Sequence, residues 1–357
     1  MLFSRRTILL VLIAASVCCM SGQVHADKSN GRLDIYFIDV EGGAATLFVT
    51  PQDESLLIDS GYPDNNGRDR NRILDVVRNV ARLKHIDHAA VTHWHLDHYG
   101  NHASLASEIR IRNFWDRGIP DLLREDQKFE ARIADYRSAT QNKSNTVKAG
   151  DKLPLTSGDT PLSLKIVTAS RKVIPNTGDP NPYAKLHQAR ERDPSDNAES
   201  VSFLVEFGEF RFLCCGDLTW NIEAKLVTPN NPIGKVDMFM VTHHGLPTSN
   251  NPALVLAIDP VVAVMCNGPT KGGHPETLAT LKKVKSLKAL YQLHRNVKVA
   301  PGDQTPAKFI ANQERTSDCQ GRWVKASIAD DGSYTVQIAA DGKPKTYHAR
   351  AALATAK

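Results

Sequence analysis

Residues 91–102 read VTHWHLDHYGNH and follow directly on the run IDHAAV, which has the make-up of a short β-strand. Four histidines and an aspartate in twelve positions, placed at a strand end, narrow what the chain can build. On an extended backbone alternate side chains share a side, so His93 and His95 project together. Asp97 and His98 follow as the chain turns toward the next helix, where both can face a second centre beside the first. Neutral imidazole and carboxylate are donors that zinc accepts, at about 2.0–2.2 Å. The competing reading is a surface cluster of histidines, arising by chance or serving as a pH sensor.

Three later stretches answer the cluster. FRFLCCGD ends in Asp217, DMFMVTHHG ends in His243, His244 and Gly245, and VVAVMCNGPTKGGHP reaches His274. Each follows a strand-like run, so metal-capable residues gather where sheet edges converge. Taken singly, Asp217 reads as a turn residue and His274 as a loop histidine; beside the first cluster they read as ligands. Adjacent residues on a strand point to opposite sides. His243 and His244 are therefore expected to divide the work, one as a ligand and the other as a proton donor to a leaving group.

The first 26 residues read differently from the rest. A basic start, an apolar run from Ile8 to Met20 and the ending Val24-His25-Ala26 predict a secretory signal peptide. Arg5 and Arg6 admit twin-arginine export beside ordinary secretion. Cys18 and Cys19 argue weakly for a lipoprotein, because bulky Val17 stands where a small residue is expected. An uncleaved anchor is the remaining alternative. The leader carries two arginines and no acid, so its removal lowers the formal charge from +5 to +3. That balance does not by itself point to nucleic acid. No apolar run after residue 26 has the length of a membrane span, so the mature chain is expected to lack one. Cys214, Cys215, Cys266 and Cys319 remain, and the first two, inside an apolar run, read as buried thiols rather than zinc-ligand pairs.

The order of elements is legible from periodicity. Residues 32–40, 45–50 and 55–61 read as an antiparallel meander. RILDVVRNVARL has apolar residues at 73, 74, 76, 77, 80 and 83, which is helical spacing. Residues 86–93 form a strand, DLLREDQKFEARIADYRSATQ (121–141) a helix, and 150–197 a loop-rich excursion. SVSFLVEFGEFRFLCCGD reads as a hairpin turning at Gly208-Glu209. Strands and helices then alternate through KVDMFMVTHHG, PALVLAI, VVAVMCNG and PETLATLKKVKSL. Two Asp-Gly turns in the tail are hairpin chemistry. The domain expectation is a leader at 1–26, one α/β domain at 27–315, and a C-terminal β-hairpin extension at 316–357.

The pattern resembles the metallo-β-lactamase superfamily. THWHLDHYG matches its signature motif, SLLIDSG looks like the strand carrying its supporting aspartate, Asp59, and CCGD looks like its bridging aspartate. Within the superfamily the likeness is nearest to the extracytoplasmic hydrolase domain of competence DNA-uptake proteins (ComEC type). The shared segments are DVEGGAA at 39–45, Gly216-Asp217, HHGLPTS at 243–249 and GGHP at 272–275. The likeness covers roughly residues 33–300. It departs at Gly42-Gly43-Ala44, where those proteins have QGD, and no membrane channel accompanies it.

The resemblance implies an αββα sandwich of two mixed sheets with helices outside and a two-metal site at the sheets' ends. It implies that His93 and His95 hold the first metal, Asp97 and His98 the second, and that Asp217 bridges. His274 would complete the second site, with His244 competing. The family's third histidine of the first site has no match here; Asp196 is the substitute candidate, with His187 behind it. Asp59 would orient a ligand histidine, and Gly245 and Ser249 would shape the pocket floor. The ions expected are two divalent metals, zinc first and manganese as the alternative. The chemistry implied is hydrolysis by metal-activated water. A phosphodiester, in a small molecule, the cell envelope or nucleic acid, is the expected substrate. A lactam, lactone or thioester, or a non-catalytic metal-containing binding protein, are the rival readings.

Overall fold

Strand alternation decides the layering. Leu33, Ile35 and Phe37 enter a core between two sheets, while Tyr36 joins a cluster on the outer face. Likewise Phe203, Val205 and Phe207 point inward and Leu204 outward. Strands apolar on both faces must be covered twice, so the chain stacks four layers: helices, sheet, sheet, helices. This computed structural model describes residues 31–63, 66–316 and 318–350. The predicted leader, with Cys18 and Cys19, lies outside them.

The longer strands are β1 (Leu33–Phe37), β2 (Thr46–Val49), β3 (Ser55–Ile58), β4 (Ile86–Ala90), β5 (Ile111–Asp116), β6 (Leu162–Ala169), β7 (Ser202–Phe207), β8 (Phe210–Cys214), β9 (Met238–Met240), β10 (Val262–Met265), β11 (Ala289–His294), β12 (Ile310–Asn312), β13 (Val324–Ile328), β14 (Ser333–Ile338) and β15 (Lys345–His348). The first nine-stranded sheet runs β15-β14-β13-β1-β2-β3-β4-β5 and ends on the short strand Asn145–Thr146. The second runs β12-β11-β10-β9-β8-β7-β6, with Lys152–Leu153 and Lys172–Val173 both on β6. Between the sheets Phe212 meets Phe37 at 6.0 Å and Phe48 at 5.6 Å between ring centroids. Emptying one such ring position costs about 3–5 kcal/mol.

The helix α1 (Arg68–Asp75) passes into a π turn, Val76–Val80. Ile73, Val76 and Val77 pack there on Leu47 and Leu57 of the first sheet's outer face. After α2 (Leu96–Tyr99), α3 (His102–Glu108) and α4 (Phe129–Ala139), the helices α5 (Trp220–Val227), α6 (Pro252–Ile258) and α7 (Pro275–Leu281) cover the second sheet. The start of α6 is written locally: Asn251 accepts the Ala253 N–H at 2.9 Å, and Pro252 fills the first turn. Among the described residues no helix is long and apolar enough to cross a membrane.

Two expectations shift. The helix predicted over 121–141 occupies only Phe129–Ala139, because Leu123 and Asp126 pair with each other in a tight bridge. The strand β11, unannounced in the sequence reading, has all six residues buried. The C-terminal extension forms β13–β15 and adds to the first sheet through β1, pairing Leu33 with Ile328 and Phe37 with Val324. Residues on both sides of position 315 thus share one sheet. Cys214, Cys215 and Cys266 are buried free thiols; burial pushes the Cys214 thiol up to about 12, which leaves it inert near neutral pH.

Topology places the site. β3, β4 and β5 are parallel, as are β8, β9, β10 and β11. Their C-terminal ends therefore open at common edges, where α/β sheets gather functional loops.

Candidate metal centre

The centre begins where β3 and β4 end. Asp59, in left-handed conformation at φ 61°, follows β3. Its carboxylate grips Thr92 twice, taking the backbone N–H on Oδ1 and the hydroxyl on Oδ2, both at 2.8 Å. Asp59 Oδ2 also lies 2.7 Å from His98 Nδ1. The second sheet brings Gly216 against Thr92; a Cβ at Gly216 would stand 2.9 Å from Thr92 Cβ, so only glycine allows the approach. Gly43 works in the same way above Asp97, whose carbonyl oxygen a Cβ there would meet at 2.6 Å.

Four ligand atoms then converge. Asp97, His98, Asp217 and His244 are all buried, with one donor atom from each within 4.8 Å of the others. His98 Nε2 lies 3.4 Å from Asp97 Oδ2, 3.2 Å from Asp217 Oδ2 and 3.3 Å from His244 Nε2. His244 Nε2 lies 3.3 Å from Asp97 Oδ2 and 3.4 Å from Asp217 Oδ2. A cation bonded at about 2.0–2.2 Å to four tetrahedral donors separates them by about 3.3–3.6 Å. The residues thus fit a tetrahedral divalent ion by spacing as well as by chemistry.

Next to this group His93 Nε2 faces His95 Nδ1 at 3.1 Å and lies 3.9 Å from Asp217 Oδ2. The remaining ring nitrogens are tied to protein oxygens. His93 Nδ1 meets Thr92 Oγ1 at 3.0 Å, His95 Nε2 meets Glu125 Oε1 at 3.1 Å, and His244 Nδ1 meets the Cys266 carbonyl at 2.9 Å. Fixing one nitrogen in this way fixes the ring and the tautomer that presents the other.

Charge follows the geometry. Burial would raise the Asp97 and Asp217 carboxyls, yet both are held well below the usual range. His98 and Lys271 hold Asp97 down; His243, His244 and His98 hold Asp217 down. His98 is pushed well above its ordinary value: burial opposes its charge, but Asp217, Asp59 and Asp97 prevail. His93 falls well below, through burial and then the His98 and His95 charges. The nest therefore holds two carboxylates that call for positive charge.

Not every expected residue joins. His274 stands apart: its ring accepts the Glu276 N–H at 3.4 Å and caps α7 before Pro275. His244, the competing candidate, lies with Asp97, His98 and Asp217. Asp196 is buried, and both its oxygens face protein donors, Oδ2 the Trp94 N–H at 2.6 Å and Oδ1 Arg117, rather than the ligand nest. His187 Nδ1 meets the Asn251 side-chain amide at 2.8 Å instead. The chain leaves β9 at Met240, so His243 and His244 do not alternate as strand residues. Both sit left-handed, at φ 53°, and both rings reach Asp217. Ser249 lies under His243, 3.2 Å from its Nδ1.

Glu125 and Lys271 escaped the sequence reading. Lys271 Nζ lies 2.5 Å from Asp97 Oδ2 and 3.4 Å from the Tyr62 hydroxyl, at the rim of the nest. Glu125 fell inside the segment read as a helix, and Lys271, next to GGHP, is not a metal-ligand type, so neither was marked. Trp94, between the two ligand-type histidines, is buried against Tyr99 and Tyr136, at centroid distances of 5.5 and 5.0 Å, and donates its indole N–H to the Gly118 carbonyl. A separate group of Asp39, Glu41, His294 and Cys319 is filled by Arg72, which lies 2.8 Å from Asp39 and 3.1 Å from Glu41.

Residues 38–291 match the sequence model of the metallo-beta-lactamase superfamily. A UPF0173 metal-dependent hydrolase of Herpetosiphon aurantiacus is 33% identical over 69 residues, 19% of this chain. The match spans 26% of that relative's length. Among solved structures, CmlA, a diiron beta-hydroxylase from Streptomyces venezuelae, is 18% identical with a TM-score of 0.40, over 72% of this chain and 47% of that one. A metallo-beta-lactamase of Cronobacter sakazakii is 16% identical with a TM-score of 0.32, over 57% of this chain and 73% of that one.

Proposed function

The chain belongs to the metallo-β-lactamase superfamily, and from that premise we propose an exported hydrolase that uses two divalent metal ions to cleave a phosphodiester-type bond. The observation that carries the reading is the tetrahedral spacing of Asp97, His98, Asp217 and His244 around one buried point. These four would hold one ion. His93 and His95 would hold the other, with Asp217 shared. Nitrogen and oxygen donors without a thiolate suit zinc, and manganese is the alternative. A pair of such ions supplies Lewis acidity and a strong nucleophile from water at neutral pH.

The protein's own groups set the geometry. Asp59 fixes His98, Glu125 fixes His95, and the Cys266 carbonyl fixes His244. Lys271, partly exposed beside Asp97, puts a positive charge where an anionic substrate group would arrive. That charge, with the ComEC-type segments DVEGGAA, HHGLPTS and GGHP, supports a phosphoester over a neutral substrate. Export rests on the leader-like residues 1–26.

The test is a reporter screen on the full chain loaded with zinc or manganese. Chromogenic phosphodiester, lactam and lactone substrates are each offered with and without chelator. Phosphodiester turnover that chelator abolishes and metal restores is expected. Turnover of lactam or lactone alone would move the reading to that chemistry, and no turnover by metal-loaded protein would favour a binding protein.

A further inference from the structure

Four imidazole nitrogens surround one carboxylate oxygen. Asp217 Oδ2 has His98 Nε2 at 3.2 Å, His243 Nε2 at 3.3 Å, His244 Nε2 at 3.4 Å and His93 Nε2 at 3.9 Å. A carboxylate oxygen has two lone pairs, too few to accept from four donors, so this crowd is not a hydrogen-bonding arrangement. It is what a carboxylate shared between two ions looks like. His98 and His244 belong to the group that includes Asp97, and His93 is paired with His95. His243 is left over, and the first ion is left one protein ligand short.

We propose that His243 is the third histidine ligand of the first metal, beside His93, His95 and the shared Asp217. The inference rests on the two-metal reading above and assigns a residue that reading leaves open. His243 is held as the other ligand-type histidines are. Its Nδ1 meets Thr248 Oγ1 at 3.0 Å and Ser249 Oγ at 3.2 Å, which leaves Nε2 turned to Asp217. The other neighbour of Nε2 is the side-chain amide nitrogen of Asn197 at 3.5 Å, itself a donor. The amide donor beside Nε2 and the two hydroxyl oxygens beside Nδ1 fit the tautomer with its proton on Nδ1, in which Nε2 keeps its lone pair, the form a metal takes.

Backbone conformation points the same way. Two consecutive non-glycine residues in left-handed conformation are unfavourable, and such strain gathers where a function needs it. At φ 53° and ψ 46°, His243 leaves the alternation of a strand. A plain strand end would have turned one of the two rings away; the left-handed pair turns both to Asp217. The rival ligands are spent, Asp196 on Trp94 and Arg117, and His187 on Asn251.

The experiment counts metal. Full-length protein is reconstituted with zinc, freed of excess and analysed for metal per chain; cobalt substitution adds a visible spectrum for each site. Wild type should hold two ions and His243→Ala one, with the cobalt bands of a single site. His243→Asp, which restores a donor, should regain the second ion. If His243→Ala fails to fold by circular dichroism, His243→Asn, close in size and a poor zinc donor, carries the same expectation. A folded His243→Ala or His243→Asn that keeps two ions while turnover collapses would make His243 a proton donor and overturn the inference. Wild type saturating at one ion would instead refute the two-metal reading itself, and the inference with it.

Discussion

Glu223 in α5 is as buried as the site carboxylates yet titrates in the opposite direction. Its Oε2 accepts the Asn251 N–H at 2.7 Å, and burial pushes the group up to about 7. Asp97 and Asp217 have imidazolium and ammonium neighbours that outweigh burial, and Glu223 does not. Because its folded value lies above the unfolded value of 4.5, the folded state keeps a proton that the unfolded chain gives up. Stability from this group is complete at acid pH and is lost as pH rises through 7. Metal-free wild type compared with Glu223→Gln by urea unfolding should diverge by about 2 kcal/mol between pH 5.5 and 8, with the variant gaining. A constant difference across that range would show that Glu223 is ionised throughout. At this scale the sequence was most legible where residues lie close together: His93, His95, Asp97 and His98 fall within six positions. Glu125 and Lys271 come from distant loops, and the choice between His274 and His244 stayed open because the left-handed pair does not follow strand alternation.

Periodicity announced most strands and helices, but pairing across long separations left no trace. β13 joins β1 over nearly the whole chain, and Val324, Ala326 and Ile328 enter the core between the sheets. Tyr334, Val336 and Tyr347 follow them inward. A tail with Asp-Gly turns looks like an appendage in sequence; in space it covers the edge of β1. A chain ending at residue 315 would bare that edge and remove, among other core side chains, Val324, Ile328 and Val336, each worth about 1.5–3 kcal/mol when buried. Against a typical total of about 5–15 kcal/mol, that loss is decisive. The truncated protein is expected in the insoluble fraction, without a cooperative melt, and a soluble truncation that melts cooperatively would show the tail to be dispensable. β11 was missed for a related reason: its six residues are all buried, so hydrophobicity could not mark its faces.

At the scale of the molecule, the centre joins two sheets whose shared core is mainly apolar. His93, His95, Asp97 and His98 follow β4 of the first sheet, and Asp217 and His244 follow β8 and β9 of the second. An ion held by both should therefore stabilise the whole fold. Each site filled at a hundred times its dissociation constant adds about 2.7 kcal/mol. Thermal melts should rise with added zinc and level off, fall back with chelator, and lose most of the rise in Asp217→Ala, whose shared oxygen is gone. Zinc that leaves the wild-type melting temperature unchanged would separate metal binding from folding. Trp94 adds an optical consequence. It stands between His93 and His95 in sequence, its indole packed against Tyr99 and Tyr136 and its backbone N–H tied to Asp196. An ion gripped by the two flanking imidazoles lies within a few bonds of a rigid, dry fluorophore. A paramagnetic ion such as cobalt placed there would quench its emission, so the protein carries a reporter of its own metal state without any added dye.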